Sequence, residues 1–291
     1  MGKWDDVFVV AGPTASGKSA FAVDLAERLN AEIISADAYQ IYRGLSVLTA
    51  QPTAAERVRV RHHLVDVLEP EVEWSAANFA RAALDAMEEI RRRGKRICVV
   101  GGAGFYLEAL FDGLPDTPPP NLPVRERLSL LSVPELVSEL QRSDPEAAAV
   151  VDLQNPRRLQ RALEIVITTG KPFASFARQP DLSVRGIVLN LDRAVLHDRM
   201  EKRVASMLTS GALEEVSALG ARSKTCGKSI GLGEISQYLA GSISLEQCRE
   251  QIVIATRQYA KRQMTWFRNR SRWELVAPER AMETALALTE I

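Results

Sequence analysis

Cysteine and histidine are scarce in this sequence. Its 291 residues include only three cysteines, Cys98, Cys226 and Cys248, which are far apart and form no CxxC pair. This pattern excludes a disulfide framework and a cysteine-based zinc site. The adjacent His62 and His63 have only one other histidine in the chain and would point to opposite faces of a strand, which argues against a histidine metal site. We therefore expect buried, unreactive thiols and structural histidines.

A long apolar run and a net charge are also absent. No apolar stretch approaches the roughly 20 residues that a membrane-spanning helix needs, and the N-terminal MGKWDD lacks the basic and then apolar pattern of a secretion signal. We expect a cytoplasmic monomer without membrane contact. Because 37 Lys and Arg balance 37 Asp and Glu, only a local basic patch could attract a nucleic acid.

Strand-like and helix-like patterns alternate in the N-terminal third of the chain. Apolar strand patterns occur at Val7–Ala11, Glu32–Ala36, Leu64–Leu68 and Arg96–Val100, and a helical pattern covers Ala76–Arg93. Such alternation predicts a parallel sheet with helices on its faces, which places the chain in the α/β class.

The first strand pattern is followed by a sequence that is typical of phosphate-binding loops. It fits G-x-x-x-x-G-K-[ST] and lies between a predicted strand and a predicted helix, as this motif requires. Glycines let the backbone N–H groups turn inward, Lys18 supplies a positive charge, and the hydroxyl of Ser19 can bind Mg²⁺. The predicted ligand is a di- or triphosphate. The predicted pyrophosphate-binding residues are Gly12, Pro13, Thr14, Ala15, Ser16, Gly17, Lys18 and Ser19.

A proline-rich stretch interrupts the alternating pattern. Four prolines lie within residues 118–123, where neither helix nor sheet can continue, and residues 124–176 then have helical patterns without a convincing strand. A strand pattern returns at Arg185–Leu191. We therefore predict a P-loop-type parallel sheet core flanked by helices, made of residues 1–117 and 184–291, with a helical insertion domain at residues 118–183.

A carboxylate that could act together with the loop lies after the second strand pattern. Nucleotide triphosphatases usually have an Asp at the end of another core strand, but here the strand ending at Val100 is followed by Gly-Gly-Ala-Gly. Asp37 follows the strand pattern Glu32–Ala36 instead. In an open parallel sheet the carboxyl ends of the strands face one crevice, so Asp37 could serve there as a base or hold a metal through water.

Several segments together resemble the tRNA dimethylallyltransferase family, whose bacterial members prenylate an adenine beside the anticodon. They occur in the family's order and span most of the chain. Most distinctive are NPRRLQRALE at residues 155–164 and ATRQYAKRQMTWF at residues 255–267. The other matching segments are Gly12–Ser19, Ser35–Thr53, His62–Asp66, Trp74–Phe79 and Gly101–Tyr106.

The sequence departs from the usual family pattern at some polar positions. Ala38 and Ala103 stand where the family commonly has Ser and Thr, and Gln51 stands where it commonly has Lys. Leu232 and Gly233 fall within the family's usual G-Y-R-E. Because the phosphate loop and the carboxylate after the second strand are retained, these departures bear on fine specificity more than on the reaction.

The resemblance implies transfer of a dimethylallyl group from dimethylallyl pyrophosphate to the N6 amine of the adenosine immediately 3′ of the anticodon, which gives N6-isopentenyladenosine. It assigns Asp37 as the acceptor of the amine proton. Lys18, Arg203 and Mg²⁺ bound at Ser19 would stabilise the departing pyrophosphate. Arg203 shares a predicted helix face with Arg199, four residues earlier.

The target base must leave the anticodon loop to reach such a site, so residues outside the site must bind the tRNA anticodon stem-loop. Residues 257–272 contain six basic residues and no acid, and the aromatic residues between them can stack on bases or, more commonly, pack in the core. The predicted tRNA contacts are Asp37, Ala38, Tyr39, Gln40, Ala103, Arg157, Arg158, Arg161, Arg257, Lys261 and Arg262.

Two other functions are compatible with parts of the sequence. A small-molecule or nucleoside kinase would use the same loop, with Arg157, Arg158 and Arg161 as a lid. It would not need the basic C-terminal segment, and it would be expected to have the missing Asp. A non-enzymatic RNA-binding module would leave Asp37 and Lys18 without a role.

Overall fold

A computed structural model describes residues 4–114, 117–176 and 184–289. Contacts within the chain divide it into two units. The core unit comprises Met1–Phe111 and Asp181–Ile291, and the insertion unit comprises Asp112–Pro180. The sequence predicts residues 118–183 for this insertion, so the unit begins before the proline run that suggested its boundary.

The core unit is built around a six-stranded sheet, as far as the described residues show. All of its strand pairs are parallel, and the strand order is β3-β2-β4-β1-β5-β6. This topology confirms the predicted α/β fold. The strands are β1 Val7–Ala11, β2 Ala31–Ser35, β3 His62–His63, β4 Arg96–Gly101, β5 Arg185–Leu189 and β6 Glu274–Val276.

Thirteen α-helices are found in the described residues. None of these helices combines the length and apolar composition that crossing a bilayer requires. Those before the insertion are α1 Lys18–Leu29, α2 Ala54–Arg59, α3 Ala76–Arg92 and α4 Gly104–Phe111. Those of the insertion unit are α5 Leu122–Ser129, α6 Val133–Ser143, α7 Pro145–Val150 and α8 Pro156–Thr169. Those after it are α9 Arg193–Thr209, α10 Ala212–Ala218, α11 Leu232–Leu239, α12 Leu245–Arg270 and α13 Pro278–Thr289.

The predicted strand at Leu64–Leu68 is wrong. The strand at this edge of the sheet is His62–His63, and it ends because Leu64 and Asp66 have φ angles of 59° and 58°. An extended strand cannot continue through this left-handed backbone conformation. Leu68 instead forms an isolated bridge with Tyr42, and Leu64 and Leu68 pack partly buried against the apolar cluster that contains Tyr42.

Two large apolar clusters of described residues help to hold the core unit together. The first cluster joins β1, α1 and α13 on one face of the sheet. Every residue of β1 is buried, whichever face of the sheet its side chain is on. The second cluster packs the loop after β2, through Leu45 and Leu48, against Met207 of α9 and Ile252 of α12. This second cluster fixes the loop over the carboxyl ends of the strands, where ligands bind in open parallel sheets.

The insertion unit has an apolar core of its own, as the helical patterns predict. A buried carboxylate adds polar contacts: Glu164 is 1% exposed and accepts hydrogen bonds from Arg125 at 2.9 Å and Arg161 at 2.7 Å. Burial raises the pKa of Glu164, but these hydrogen bonds outweigh it and hold the pKa below its ordinary value. Arg161 also donates to Thr117 Oγ1 and the carbonyl of Pro118. Its guanidinium therefore has a structural role within this unit.

Candidate active site at the carboxyl ends of the strands

The loop between β1 and α1 has the backbone geometry of a phosphate cradle. Gly12 and Gly17 have φ angles of 153° and 84°, and a side chain on Gly12 would approach the carbonyl of Leu189 to 3.2 Å. Gly17 caps α1 without any side-chain hydrogen bond. The N–H groups of the first helical turn are therefore left for an anion, which the helix dipole also favours.

Lys18 lies at the start of α1 and faces the cavity formed by this loop. Its Nζ donates to the carbonyl of Pro13 at 3.2 Å. Burial lowers the pKa of Lys18 to about 8, against the opposing attraction of Asp37 and with a smaller contribution from Arg203. A bound pyrophosphate would stabilise the ammonium form of Lys18, because a neighbouring anion favours the charged state of a buried amine.

Asp37 lines the same cavity from the turn after β2. Its Oδ1 accepts hydrogen bonds from the backbone N–H groups of Tyr39 at 2.9 Å and Gln40 at 3.2 Å. In the described part of the chain no donor reaches Oδ2. The turn therefore fixes the carboxylate through one oxygen and leaves the other for a proton or a metal ion.

Two glutamines hold the loop after β2 in place. Gln40 Nε2 donates to the carbonyl of Ala50 at 2.8 Å, and Gln51 Nε2 donates to the carbonyl of Tyr42 at 2.8 Å. Arg57 donates to Gln51 Oε1 at 3.0 Å. Gln51 is therefore a structural residue of this loop. It carries no charge, unlike the Lys that the family commonly has at this position. Gln40 also lines the cavity, and its contact with tRNA stays a prediction.

The cavity is about 500 Å³ in volume and is lined by two chemically different groups of residues. The phosphate loop and Asp37 belong to the polar group. The apolar wall is formed by Leu48, Val204, Met207, Ile230 and Ile252, which belong to one packed cluster. The sequence analysis missed this wall because its residues come from four separate segments that each look like ordinary core.

Helix α9 extends two arginines to the phosphate loop. Arg203 Nη1 donates to Thr14 Oγ1 at 3.0 Å, and Arg199 Nη1 donates to the carbonyl of Ser16 at 3.3 Å. Burial lowers the pKa of Arg203, and the charge of Asp37 opposes that shift. Both guanidinium groups line the cavity. The shared helix face predicted for the two residues is confirmed, and Arg199 joins Arg203 as a candidate anion ligand.

Gln263 of α12 is a site residue that the sequence analysis missed. It is 6% exposed and lines the cavity. Its Oε1 accepts from the N–H of Thr14 at 2.9 Å, and its Nε2 donates to the carbonyl of Gly102 at 3.0 Å. A Cβ on Gly102 would lie 2.2 Å from Nε2, so this contact requires glycine. Gln263 thus connects the phosphate loop to the glycine-rich turn after β4.

The predicted tRNA contacts on α12 are not all directed to this cavity. The guanidinium of Arg262 lies over the ring of Tyr259, 5.8 Å from its centroid, and Tyr259 lines the cavity. Arg257 and Lys261 lie elsewhere on the helix surface and line a different cavity. Phe267 is buried, as expected for an aromatic residue of this segment.

Several other predicted residues lie beside the cavity or away from it. Ser19 is exposed in the first turn of α1 and lines the cavity. Ala38 is half-buried next to Asp37, and the N–H of Ala103 donates to the carbonyl of Ala36 at 3.4 Å. In the insertion unit, the side chains of Arg157 and Arg158 are exposed at the start of α8.

The scarce residues have structural roles. Cys98, Cys226 and Cys248 are free and buried, which confirms the expectation of buried thiols. His63 Nε2 lies 2.7 Å from Glu32 Oε2. No group of three or more His, Cys, Asp or Glu residues in the described ranges could hold a metal ion.

Comparison with known protein families gives a consistent result. The family model described as IPP transferase matches residues 40–270, and a model described as isopentenyl transferase matches residues 5–72. A tRNA dimethylallyltransferase of Akkermansia muciniphila is 43% identical over 283 residues, which are 97% of this chain and 96% of that protein. One from Thermus thermophilus is 44% identical over 269 residues, covering 90% and 89%.

Solved structures resemble the whole fold. The tRNA isopentenylpyrophosphate transferase of Bacillus halodurans is 34% identical, with a TM-score of 0.72 over 98% of this chain and 96% of that one. A eukaryotic dimethylallyltransferase acting on tRNA is 28% identical, with a TM-score of 0.82 over 97% of this chain and 77% of that one. From its phosphate loop to its C-terminal helices, the chain belongs to the IPP transferase family.

Proposed function

We propose that this protein transfers a dimethylallyl group from dimethylallyl pyrophosphate to the exocyclic N6 amine of the adenosine immediately 3′ of the anticodon in tRNA. The observation that carries the proposal is the mixed lining of this cavity. A phosphate cradle and an apolar wall line one space, and a prenyl pyrophosphate has the same two parts. Asp37 lines the same space.

The apolar wall suits the hydrocarbon part of the donor. Burial of apolar groups contributes about 0.8 kcal/mol for each methylene, so a five-carbon chain gains roughly 4 kcal/mol from this wall. Leu48, Met207 and Ile252 belong to the packed cluster that supports the loop after β2. The wall is therefore part of a packed cluster and offers the hydrocarbon chain an apolar surface.

Chemistry at the amine requires a base because the lone pair of N6 is delocalised into the adenine ring. In the proposed step, N6 attacks the first carbon of the allylic chain while the bond from that carbon to the pyrophosphate oxygen breaks. Asp37 accepts the proton that N6 loses, through the oxygen left free by its turn. General-base assistance of this kind contributes about 10² to 10⁴ in rate.

The leaving pyrophosphate gathers negative charge as the bond breaks. Lys18, Arg203 and the N–H groups at the start of α1 are fixed donors around the place where it develops. Ser19 and Asp37 offer hydroxyl and carboxylate oxygens that suit Mg²⁺, which when bound neutralises part of this charge. Groups that bind a transferred phosphate in a kinase would stabilise the leaving pyrophosphate in this reaction.

The acceptor base must be unstacked from the anticodon loop to enter the cavity. Tyr39 and Tyr259 line the cavity near Asp37, and both offer ring faces on which a base can stack. Arg262, placed over Tyr259, adds a positive charge at this side. We propose that these three residues receive the flipped adenosine. A monomeric enzyme acting in the cytoplasm remains part of the proposal.

A kinase function is not favoured. The turn after β4 has no carboxylate, and the carbonyl of Gly102 in this turn accepts a hydrogen bond from Gln263. A small polar acceptor would also leave the apolar wall uncovered. The relatives from Akkermansia muciniphila and Thermus thermophilus carry the name tRNA dimethylallyltransferase, in agreement with the family assignment.

One experiment separates these functions. The protein is incubated with unmodified tRNA and either dimethylallyl pyrophosphate or ATP, and the digested nucleosides are analysed by mass spectrometry. We expect adenosine carrying one additional C5H8 unit with the prenyl donor and no change with ATP. Transfer of phosphate from ATP to a small acceptor, without prenylation, would contradict the proposal.

A further inference from the structure

A carboxylate on α10 holds the loop after β2 in place. Glu215 lies in the first turn of this helix and is half-buried. Its Oε1 accepts hydrogen bonds from the hydroxyl of Ser46 and the backbone N–H of Val47, each at 2.8 Å. Its Oε2 accepts from the backbone N–H of Leu48 at 2.9 Å. One side chain therefore binds three consecutive residues that lie 167 to 169 positions earlier in the chain.

The backbone of the loop explains why it needs these contacts. Residues 45–49 form one turn, which is closed by a hydrogen bond from the N–H of Thr49 to the carbonyl of Leu45 at 3.0 Å. The N–H groups at the start of a helical turn have no carbonyl to bind within it. Val47 and Leu48 contribute two such groups, and Glu215 accepts from both. A carboxylate forms stronger hydrogen bonds with N–H groups than a neutral acceptor does.

The position of Leu48 matters because its side chain belongs to the apolar wall of the cavity. A Cβ on Gly231 would lie only 2.9 Å from Leu48 Cδ1. The same Cβ would lie 3.6 Å from Ile252 Cδ1 and 3.7 Å from Met207 Cε. These three side chains all line the cavity, so this part of the wall converges on the backbone of Gly231. A small displacement of the loop would therefore change the shape of the wall.

Glu215 also ties the loop to the helix that supplies the arginines of the site. Gly211 lies between α9 and α10. A Cβ on Gly211 would lie 3.7 Å from Val47 Cγ2, so the loop packs against this connection. Helix α9 contributes Arg203 and Met207 to the cavity. The loop is thus fixed to the element that presents a phosphate ligand and part of the apolar wall.

We propose that Glu215 is a positioning residue that determines which length of prenyl chain the cavity accepts. Its carboxylate holds Leu48 in the apolar wall through the backbone of the loop. Glu215 is not among the described residues that line the cavity, so it acts on the donor through Leu48. The inference rests on the proposed function, because it takes a prenyl pyrophosphate as the donor.

Steady-state kinetics of Glu215→Gln with saturating tRNA test this role. The two side chains have the same size, but the amide nitrogen cannot accept from an N–H, so a contact with the loop is lost. We expect a roughly three- to tenfold higher KM for dimethylallyl pyrophosphate, with kcat changed less than about twofold. The kcat/KM for a ten-carbon donor relative to the five-carbon donor should rise at least about threefold. The inhibition constant of inorganic pyrophosphate should change less than about twofold, because the phosphate loop is unaltered.

Glu214→Gln is the matched control. Glu214 lies in the same helical turn and is exposed, and no hydrogen bond joins it to the loop after β2 within the described ranges. Its substitution removes the same charge from the same end of α10, so it should leave both donor constants unchanged. Equal changes of donor preference in the two variants would overturn the proposal, because the charge alone would then be responsible. Donor constants of Glu215→Gln equal to those of the unaltered protein would also overturn it.

A double variant tests whether Glu215 acts through Leu48. Glu215→Gln should cause no further change of donor preference when it is added to Leu48→Ala, whereas independent effects would multiply. Multiplied effects would contradict the proposed route. Ser46→Ala removes only the hydroxyl contact and serves if Glu215→Gln does not fold, which a melting temperature shows. We expect it to change donor preference in the same direction by a smaller factor, and an unchanged preference would overturn the proposal.

These measurements separate the inference from the proposed function. Prenyl transfer by the unaltered protein, together with an unchanged donor preference in Glu215→Gln, would reject the role of Glu215 alone. Absence of prenyl transfer from either donor by the unaltered protein would reject the proposed function, and with it a role for Glu215 in the choice of donor.

Discussion

The side-chain oxygen of Gln263 lies 2.9 Å from the backbone nitrogen of Thr14 and accepts its hydrogen bond. The other end of the same amide holds the carbonyl of Gly102 at 3.0 Å. Because Thr14 Oγ1 in turn accepts from Arg203, one continuous set of hydrogen bonds runs from the turn after β4 to α9. The phosphate loop is therefore positioned from both sides by side chains far away in sequence.

Replacement of Gln263 should release the phosphate loop. Gln263→Leu keeps the size of the side chain but leaves the Thr14 N–H and the Gly102 carbonyl unpaired, which costs about 1–3 kcal/mol for each buried group. We expect a KM for dimethylallyl pyrophosphate at least tenfold higher, with little change in tRNA affinity. Steady-state kinetics and tRNA binding measure the two effects.

The control for this prediction is Gln251→Leu, an exposed position on the same helix. It should leave donor KM, tRNA affinity and stability unchanged. A Gln263→Leu protein that is less stable but has a normal donor KM would show that the residue only supports the fold.

The lowered pKa of Lys18 predicts that the reaction with dimethylallyl pyrophosphate depends on pH. Its pKa in the free protein is lowered by burial to about 8, so its ammonium form is lost as the pH rises through that value. The kcat/KM for dimethylallyl pyrophosphate, which reports groups of the free enzyme, should therefore fall above about pH 8.

Lys18→Arg should move this alkaline limb to higher pH because a guanidinium keeps its proton. Lys18→Ala should remove the limb and lower the rate far more than tRNA affinity. An alkaline limb at the same pH in Lys18→Arg would assign it to another group.

The apolar wall predicts the chain length of the donor. Leu48 lines the cavity, and Leu48→Ala should raise the KM for the five-carbon donor about tenfold or more while improving the relative kcat/KM for a ten-carbon donor. Leu45→Ala is a matched control from the same apolar cluster, because Leu45 is buried and does not line the cavity.

Both leucine variants should lose about 2–5 kcal/mol of stability. Only Leu48→Ala should change donor preference. The same shift in both variants would mean that a loosened cluster, and not the wall itself, determines selectivity.

The sequence predicted those parts of the site that are contiguous. The phosphate loop is a single motif between a strand and a helix, and Asp37 follows a strand whose end must face the same crevice. Lys18 and Asp37 do line one cavity. Local patterns were sufficient here because the topology of a parallel sheet brings strand ends together.

The remaining features depend on contacts between distant segments. Gln263 lies in a recognisable block, but nothing in that block indicates that its amide reaches Thr14, 249 positions away. The basic residues of α12 form one run in sequence, yet Arg262 is near the cavity of the phosphate loop while Lys261 lines a different cavity. Adjacent helix positions point in different directions, so only the packing of α12 separates their roles.

Single-turnover transfer by Asp37→Asn tests the central claim most directly. Asparagine keeps an oxygen that can accept from Tyr39 and Gln40, so the turn is preserved while the base is lost. With saturating tRNA and dimethylallyl pyrophosphate, we predict that the rate of N6 prenylation falls about 10² to 10⁴-fold with both affinities unchanged. A rate close to that of the unaltered protein would contradict the assignment of Asp37 as the proton acceptor.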